Sequence, residues 1–166
     1  INIQRSCTRS LINHCSFFNI NQNGIVLGIN DKVVQDNIEH SVISSNVFKN
    51  IGSLEAVNGI HAILHYGKNV IISNNIIDNV NKKGNQNSVE AIYTKCEGAL
   101  IVNNTITDGG AKNNLQGEGC AIMVKGSNNG GGTPVGYNRI ISNNVIRYTP
   151  NNKNETNGIG IFSDNT

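Results

Sequence analysis

The sequence predicts an all-β chain, a right-handed parallel β-helix of about five turns with three short strands in each. Three observations carry this. A motif of aliphatic residues around an asparagine pair recurs as "NVIISNNIID" (69–78), "ALIVNNTITD" (99–108) and "RIISNNVIRY" (139–148). Its copies fall at a near-constant spacing. The apolar segments are too short and too β-branched for amphipathic helices.

The second asparagine of each pair is the natural anchor: Asn46, Asn75, Asn104 and Asn144, with Cys15 in the same place in an earlier, weaker copy. The steps are 31, 29, 29 and 40 residues, and such a period marks a repeat architecture. Three residues before the anchor stand Ile12, Ile43, Ile72, Ile101 and Ile141. Two residues after it stand Phe17, Phe48, Ile77, Ile106 and Ile146. A further row, earlier in each copy, reads Ile3, Ile25, Ile63, Ile92, Ile122 and Ile161. A unit with three short strands cannot close a core alone. Stacked on its neighbours, each strand pairs in parallel with its equivalent about 4.8 Å along the axis, and each row becomes a continuous interior stack.

The asparagines take a structural role in this scheme. Asn tolerates the left-handed region that a sharp turn needs. Equivalent side chains one turn apart can also hydrogen-bond into a ladder. Residues 1–166 read as a single domain, expected to be a segment of a longer helix because bare ends would leave strand edges unpaired.

Composition narrows the function classes. About thirty asparagines, 18 Gly and 14% charged residues could signal disorder, but disordered tracts do not space Ile and Val evenly. A net charge of +2 with no basic cluster longer than Lys82–Lys83 argues against a nucleic-acid partner. No apolar run of about 18 residues is present, so no membrane span is expected. Cys7, Cys15, Cys96 and Cys120 lack CxxC spacing and read as small buried hydrophobes.

The pattern "NVIISNNIIDN", preceded by "GIHAIL" or "VEAIYT", resembles the repeat of the pectin-lyase-like β-helix superfamily, along essentially the whole chain. That group contains pectate and alginate lyases, polygalacturonases, epimerases and bacteriophage tailspikes. The resemblance implies an extracellular or virion-surface protein whose partner is a polysaccharide. It lies in the scaffold, which does not fix a function. The NTD…DD…GHG…RIK series of polygalacturonases, the arginine–proline motif of pectate lyases and the YG-D-P-H motif of epimerases are not in this sequence. No residue role is carried over from the family.

Candidate residues follow from the loops. Insertions after the first strand, Gly28–Glu39 and Gly126–Asn138, and long loops before it, flank the first-strand sheet. That sheet is expected to floor a groove, because insertions in repeat proteins gather on the binding face. His61, Glu90 and Cys120 share one row; His65 and Thr94 another; Tyr66, Lys95, Lys125 and Asp164 a third; Leu64, Tyr93, Met123 and Phe162 an apolar outward one. His61, Glu90 and the buried Ile row fall on the same side by strict alternation, which conflicts with a groove position unless the strand begins after them.

Two mechanisms fit these types. Hydrolysis needs two carboxyl groups about 5 to 9.5 Å apart, for which Glu90 and Glu118 are the candidates. β-Elimination on an acidic sugar needs a base and a cation beside the sugar carboxylate. Lys95 and Lys125 could supply both, with His61 or His65 as alternative base. His65, Tyr66, Tyr93 and Asp164 are the substrate-binding candidates. No cofactor is called for, except that Asp78 and Asp108, in nearly equivalent turn positions, could hold a calcium ion. A second function class remains: a non-catalytic stalk or adhesin module, a homotrimer in which the row of Leu64, Tyr93, Met123 and Phe162 packs against neighbouring subunits.

Overall fold

A computed structural model of the chain describes residues 1–3, 7–28, 38–52, 59–80, 88–109, 118–125, 138–147 and 159–164. Among these residues every regular element is a strand, and every strand pairing is parallel.

The strands form two sheets. One has five strands: β4 (Ser16–Ile20), β8 (Val47–Ile51), β10 (Ile76–Val80), β12 (Thr105–Gly109) and β15 (Val145–Arg147). Their order in space follows the order of the repeats. In register they align Phe17, Phe48, Ile77, Ile106 and Ile146, the row predicted two residues after the anchor. Phe17 and Phe48 stack with ring centroids 4.7 Å apart and planes 6° from parallel.

The other sheet has eleven strands. Its main path is β1 (Asn2–Ile3), β5 (Ile25–Leu27), β9 (Ile60–Ser73), β11 (Ser88–Val102), β13 (Glu118–Lys125) and β16 (Ile159–Asp164). Shorter strands, β2 (Cys7–Thr8), β3 (Leu11–Asn13), β6 (Ile38–Glu39), β7 (Val42–Ser44) and β14 (Arg139–Ser142), pair alongside. The predicted first and second strands are thus continuous in β9 and β11, which run through left-handed residues, Asn69 (φ 53°) and Gly98 (φ 71°). A side chain at Gly98 would be strained by that backbone, and its Cβ would fall 2.5 Å from Asn69 Oδ1.

Register confirms the rows of Ile12, Ile43, Ile72, Ile101 and Ile141 and of Ile25, Ile63, Ile92, Ile122 and Ile161. One assignment is corrected. Ile3 pairs with Leu27, two residues beyond Ile25, and so belongs to the row that continues through His65, Thr94 and Val124.

Most of these isoleucines have no accessible surface. Full burial of each side chain contributes roughly 1.5–3 kcal/mol before entropy is counted. Between the sheets, the asparagine anchors bond as a ladder. Asn46 Nδ2 donates to Asn75 Oδ1 at 3.0 Å; Asn75 and Asn104 repeat this to the next anchor at 2.9 Å. Each anchor Nδ2 also donates to an isoleucine carbonyl one repeat earlier: Ile12, Ile43, Ile72 and Ile101. Each anchor Oδ1 accepts a backbone N–H from the preceding repeat, Cys15 included. The amide is therefore satisfied at both ends inside the protein.

The asparagine pair divides its labour, which the sequence reading had merged. The left-handed residue is the one before the anchor: His14, Ser45, Asn74, Asn103 and Asn143, with φ between 52° and 57°. Two more left-handed columns recur. One is Arg9, His40, Asn69, Gly98 and Asn138; the other is Asn19, Asn50, Asn79 and Asp108. Single left-handed residues let the chain bend abruptly, between strands or within one, without a long loop.

Candidate functional site

Alternation along the first-strand segment breaks at one place. Ala62 and Ile63, consecutive in sequence, both belong to the core, as do Ala91–Ile92 and Ala121–Ile122. A Cβ on Gly109, across the interior, would fall 2.7 Å from Ala91 Cβ, which places Ala91 inward. With two successive residues facing in, those before them turn outward. His61 and Glu90 therefore share a side with Tyr93 and Tyr66, and the parity conflict disappears. A local break in the ladder of this kind re-aims side chains, as bulges do at functional places in sheets.

Four of the predicted site residues meet there. His61 and Glu90 are register partners on β9 and β11, and His61 Nδ1 lies 2.9 Å from Glu90 Oε2. The contact is not an aligned hydrogen bond, since the ring N–H does not point along the approach, and it is an ion pair only when His61 is protonated. The pair is buried, with side-chain accessibilities of 7% for His61 and 0% for Glu90. The Tyr93 ring is 5.2 Å from the imidazole and 5.9 Å from the Tyr66 ring. Both tyrosines are half-buried. Burial, reinforced by the nearby Glu90 charge, raises the Tyr66 phenol above its ordinary value, so it holds its proton at neutral pH.

Lys95 and Lys125 stand in register with Tyr66, on adjacent strands and half-buried. Glu118 aligns with Ser88, two residues from the Glu90–Cys120 pair, and Asp164 aligns with Lys125; the side chains of both lie outside the described residues. So do 29–37 and 126–137, which make up most of the two predicted insertions.

Other assignments are corrected. His65 does not face outward. Alternation holds after Ile63, so His65 sits in the interior row between Leu27 and Thr94 with no accessible surface. Burial lowers its pKa to about 3, and it is in no position to touch a substrate or act as its base. Leu64 and Met123 are already buried within the chain, which removes them as a subunit contact. Phe162 aligns with Met123, but its side chain lies outside the described residues. Asp78 aligns with Thr107, one residue short of Asp108, and is 3.4 Å from Lys49 Nζ. Among the described residues no three His, Cys, Asp or Glu side chains gather as a metal site. The four cysteines are free thiols, Cys96 and Cys120 buried.

The sequence reading missed a feature on the other flank. Leu11, Val42, Ile71, Leu100 and Ile140 form one outward column. Leu11 is 69% exposed and Ile140 58%. The column borders an open trough of about 330 Å³ that includes His40, Asn69 and Asn138. Each of these aliphatics directly precedes the inward isoleucine of its repeat, which was the available signal.

No protein-family model, curated protein or solved structure matches the chain.

Proposed function

We propose that the chain is a right-handed parallel β-helix of the pectin-lyase-like kind, and that the outer face of its first-strand sheet binds and cleaves a polysaccharide outside the cell or on a virion surface. The helix reading is supported by parallel pairing of every strand with its equivalent one repeat away, together with the asparagine ladder. The observation that carries the functional reading is the His61–Glu90 pair beside Tyr93 and Tyr66.

A carboxylate 2.9 Å from Nδ1 favours, by its charge rather than by an aligned hydrogen bond, the tautomer with its proton there, leaving Nε2 as the nitrogen that takes a proton from the substrate. Tyr93 offers a ring face on which a sugar can stack. Lys95 or Lys125 neutralises a uronate carboxylate, which acidifies the adjacent C–H. Tyr66, held protonated, returns a proton to the departing glycosidic oxygen. This favours β-elimination over hydrolysis, because Glu90 is committed to His61 and is not an accessible member of an acid pair.

Incubation with a panel of acidic and neutral polysaccharides tests the reading. An ultraviolet-absorbing unsaturated product is expected. New reducing ends without that absorbance would replace the lyase with a hydrolase, and neither binding nor cleavage of any polysaccharide would end the proposal. With a substrate in hand, His61→Ala is expected to lower the rate about 100-fold or more, and Lys95→Ala to affect uronate polymers alone.

A second reading, a non-catalytic stalk or adhesin module assembled as a homotrimer, is favoured by the exposed aliphatic column of Leu11, Ile71 and Ile140. It predicts a trimer in light scattering that Ile71→Lys dissociates.

A further inference from the structure

We propose that Asn23, together with Gly24, is the positioning residue that sets the direction of the His61 imidazole. The inference rests on the reading of the first-strand face as a site built around His61.

Both peptide groups of His61 are held by this dipeptide. The backbone N–H of His61 donates to the side-chain Oδ1 of Asn23 at 2.7 Å, and the Gly24 N–H donates to the His61 carbonyl at 3.1 Å. Elsewhere in the same sheet a strand N–H finds a backbone carbonyl: Val26 donates to Ile1, and Ile71 to Ser41. At His61 a side chain takes over that duty.

The reason lies one residue on. Ala62 and Ile63 both face the core, and such a break costs the ladder a regular pairing. A buried N–H left over at the break must find another acceptor, and Asn23 supplies it. The approach is too close for any side chain at position 24. A Cβ there would lie 2.7 Å from the Ala62 carbonyl and 3.0 Å from the Phe48 ring.

The consequence reaches the ring. With its N–H and C=O both fixed, residue 61 has one backbone orientation, and its Cβ points along the outer face. That is what brings Nδ1 within 2.9 Å of Glu90 and the ring to 5.2 Å from Tyr93. Without the Asn23 acceptor, the backbone at 61 must rotate toward another partner, and the imidazole swings away from Glu90.

The test is nitrogen NMR of the His61 imidazole in the full chain, assigned by its loss in His61→Gln, compared across wild type, Asn23→Ala and Asn23→Asp. Wild type is expected to show one neutral tautomer with the proton on Nδ1. Asn23→Ala should show a tautomer mixture at His61 with the signals of exposed His14 and His40 unmoved. Asn23→Asp, which keeps the acceptor oxygen, should restore the single tautomer. On a polysaccharide that wild type cleaves, Asn23→Ala should lower kcat about tenfold with KM within about twofold, since it misplaces the base without touching the sugar. An unchanged His61 tautomer in Asn23→Ala overturns the proposal, whatever the activity. If wild type cleaves nothing, the functional reading falls by itself and the NMR comparison still decides the role of Asn23. Should Asn23→Ala fail to fold, Asn23→Ser, whose shorter hydroxyl reaches less far, is read in the same way.

Discussion

The turn before the strands of the five-stranded sheet and the bend near their far ends are both built from asparagine, and they use it differently. The turn before each strand carries the inner ladder, in which Asn46, Asn75 and Asn104 have no accessible surface. The left-handed bend at the penultimate residue of each strand carries an outer ladder the sequence reading did not anticipate: Asn79 Nδ2 donates to Asn50 Oδ1 at 2.7 Å, and Asn50 Nδ2 to Asn19 Oδ1 at 2.9 Å. These outer residues are also the left-handed ones, whereas in the inner turn that role passes to the preceding residue. A stacked amide is worth what its burial makes it worth. Where water is excluded, each bond has no substitute; at the surface, water can replace it.

Asn75→Ala should break the comparison most strongly. The Asn75 side chain donates to Ile43 O and Asn104 Oδ1, and accepts from the Asn46 backbone and side chain. Its removal strands buried groups on three neighbours at about 1–3 kcal/mol each, so a loss of roughly 3 kcal/mol or more is expected in urea unfolding. Asn75→Asp should be no rescue, since a carboxylate cannot donate and would be buried ionised or neutral at further cost. A loss under about 1 kcal/mol would mean that the ladder is a consequence of the stacking rather than one of its causes.

His65 sharpens the point as a large buried polar side chain that no ladder serves. Neither of its ring nitrogens has a hydrogen-bond partner among the described residues. Its folded pKa of about 3 lies below the unfolded value near 6.5, so the unfolded chain binds the proton first as pH falls. Stability from this group is therefore intact above pH 6.5 and declines between 6.5 and about 3, by up to about 1.4 kcal/mol per pH unit. At pH 5 the loss should be about 2 kcal/mol relative to pH 7. His65→Leu, which continues the aliphatic row of Leu27 and Val124, should flatten that slope. Equal slopes in the two proteins would show that His65 gains solvent or a partner on protonation.

These contrasts also mark how far the sequence could be read. The isoleucine rows and the anchor column were legible because a repeat fixes registration by counting. Asn23, at the break, was not singled out, since its role depends on a hydrogen bond across 38 residues. The break itself was invisible, because Ala62 and Ile63 are both apolar and either can face in. Counting strict alternation through it put His61 and Glu90 on the wrong side. His65, after the break, obeys alternation and was misplaced for the opposite reason, a polar residue on the interior side being taken for a groove residue. The exposed column led by Leu11 and Ile140 was masked by adjacency, each aliphatic reading as one more core residue.

The smallest expected effect belongs to the outer ladder and completes the comparison. Asn50→Ala removes the bonds to Asn19, which is exposed, and to Asn79, which is only half-buried, so water can take most of those places. The hydrogen-bond cost should therefore be a few tenths of a kcal/mol. A larger part, about 1 kcal/mol, should come from placing alanine at φ 56°. Asn50→Gly separates the two. It deletes the same bonds while accepting the left-handed backbone freely, and it should lie within about 0.5 kcal/mol of wild type. If Asn50→Gly is as costly as Asn75→Ala, the surface ladder is as tightly held as the buried one, and burial is not what separates them.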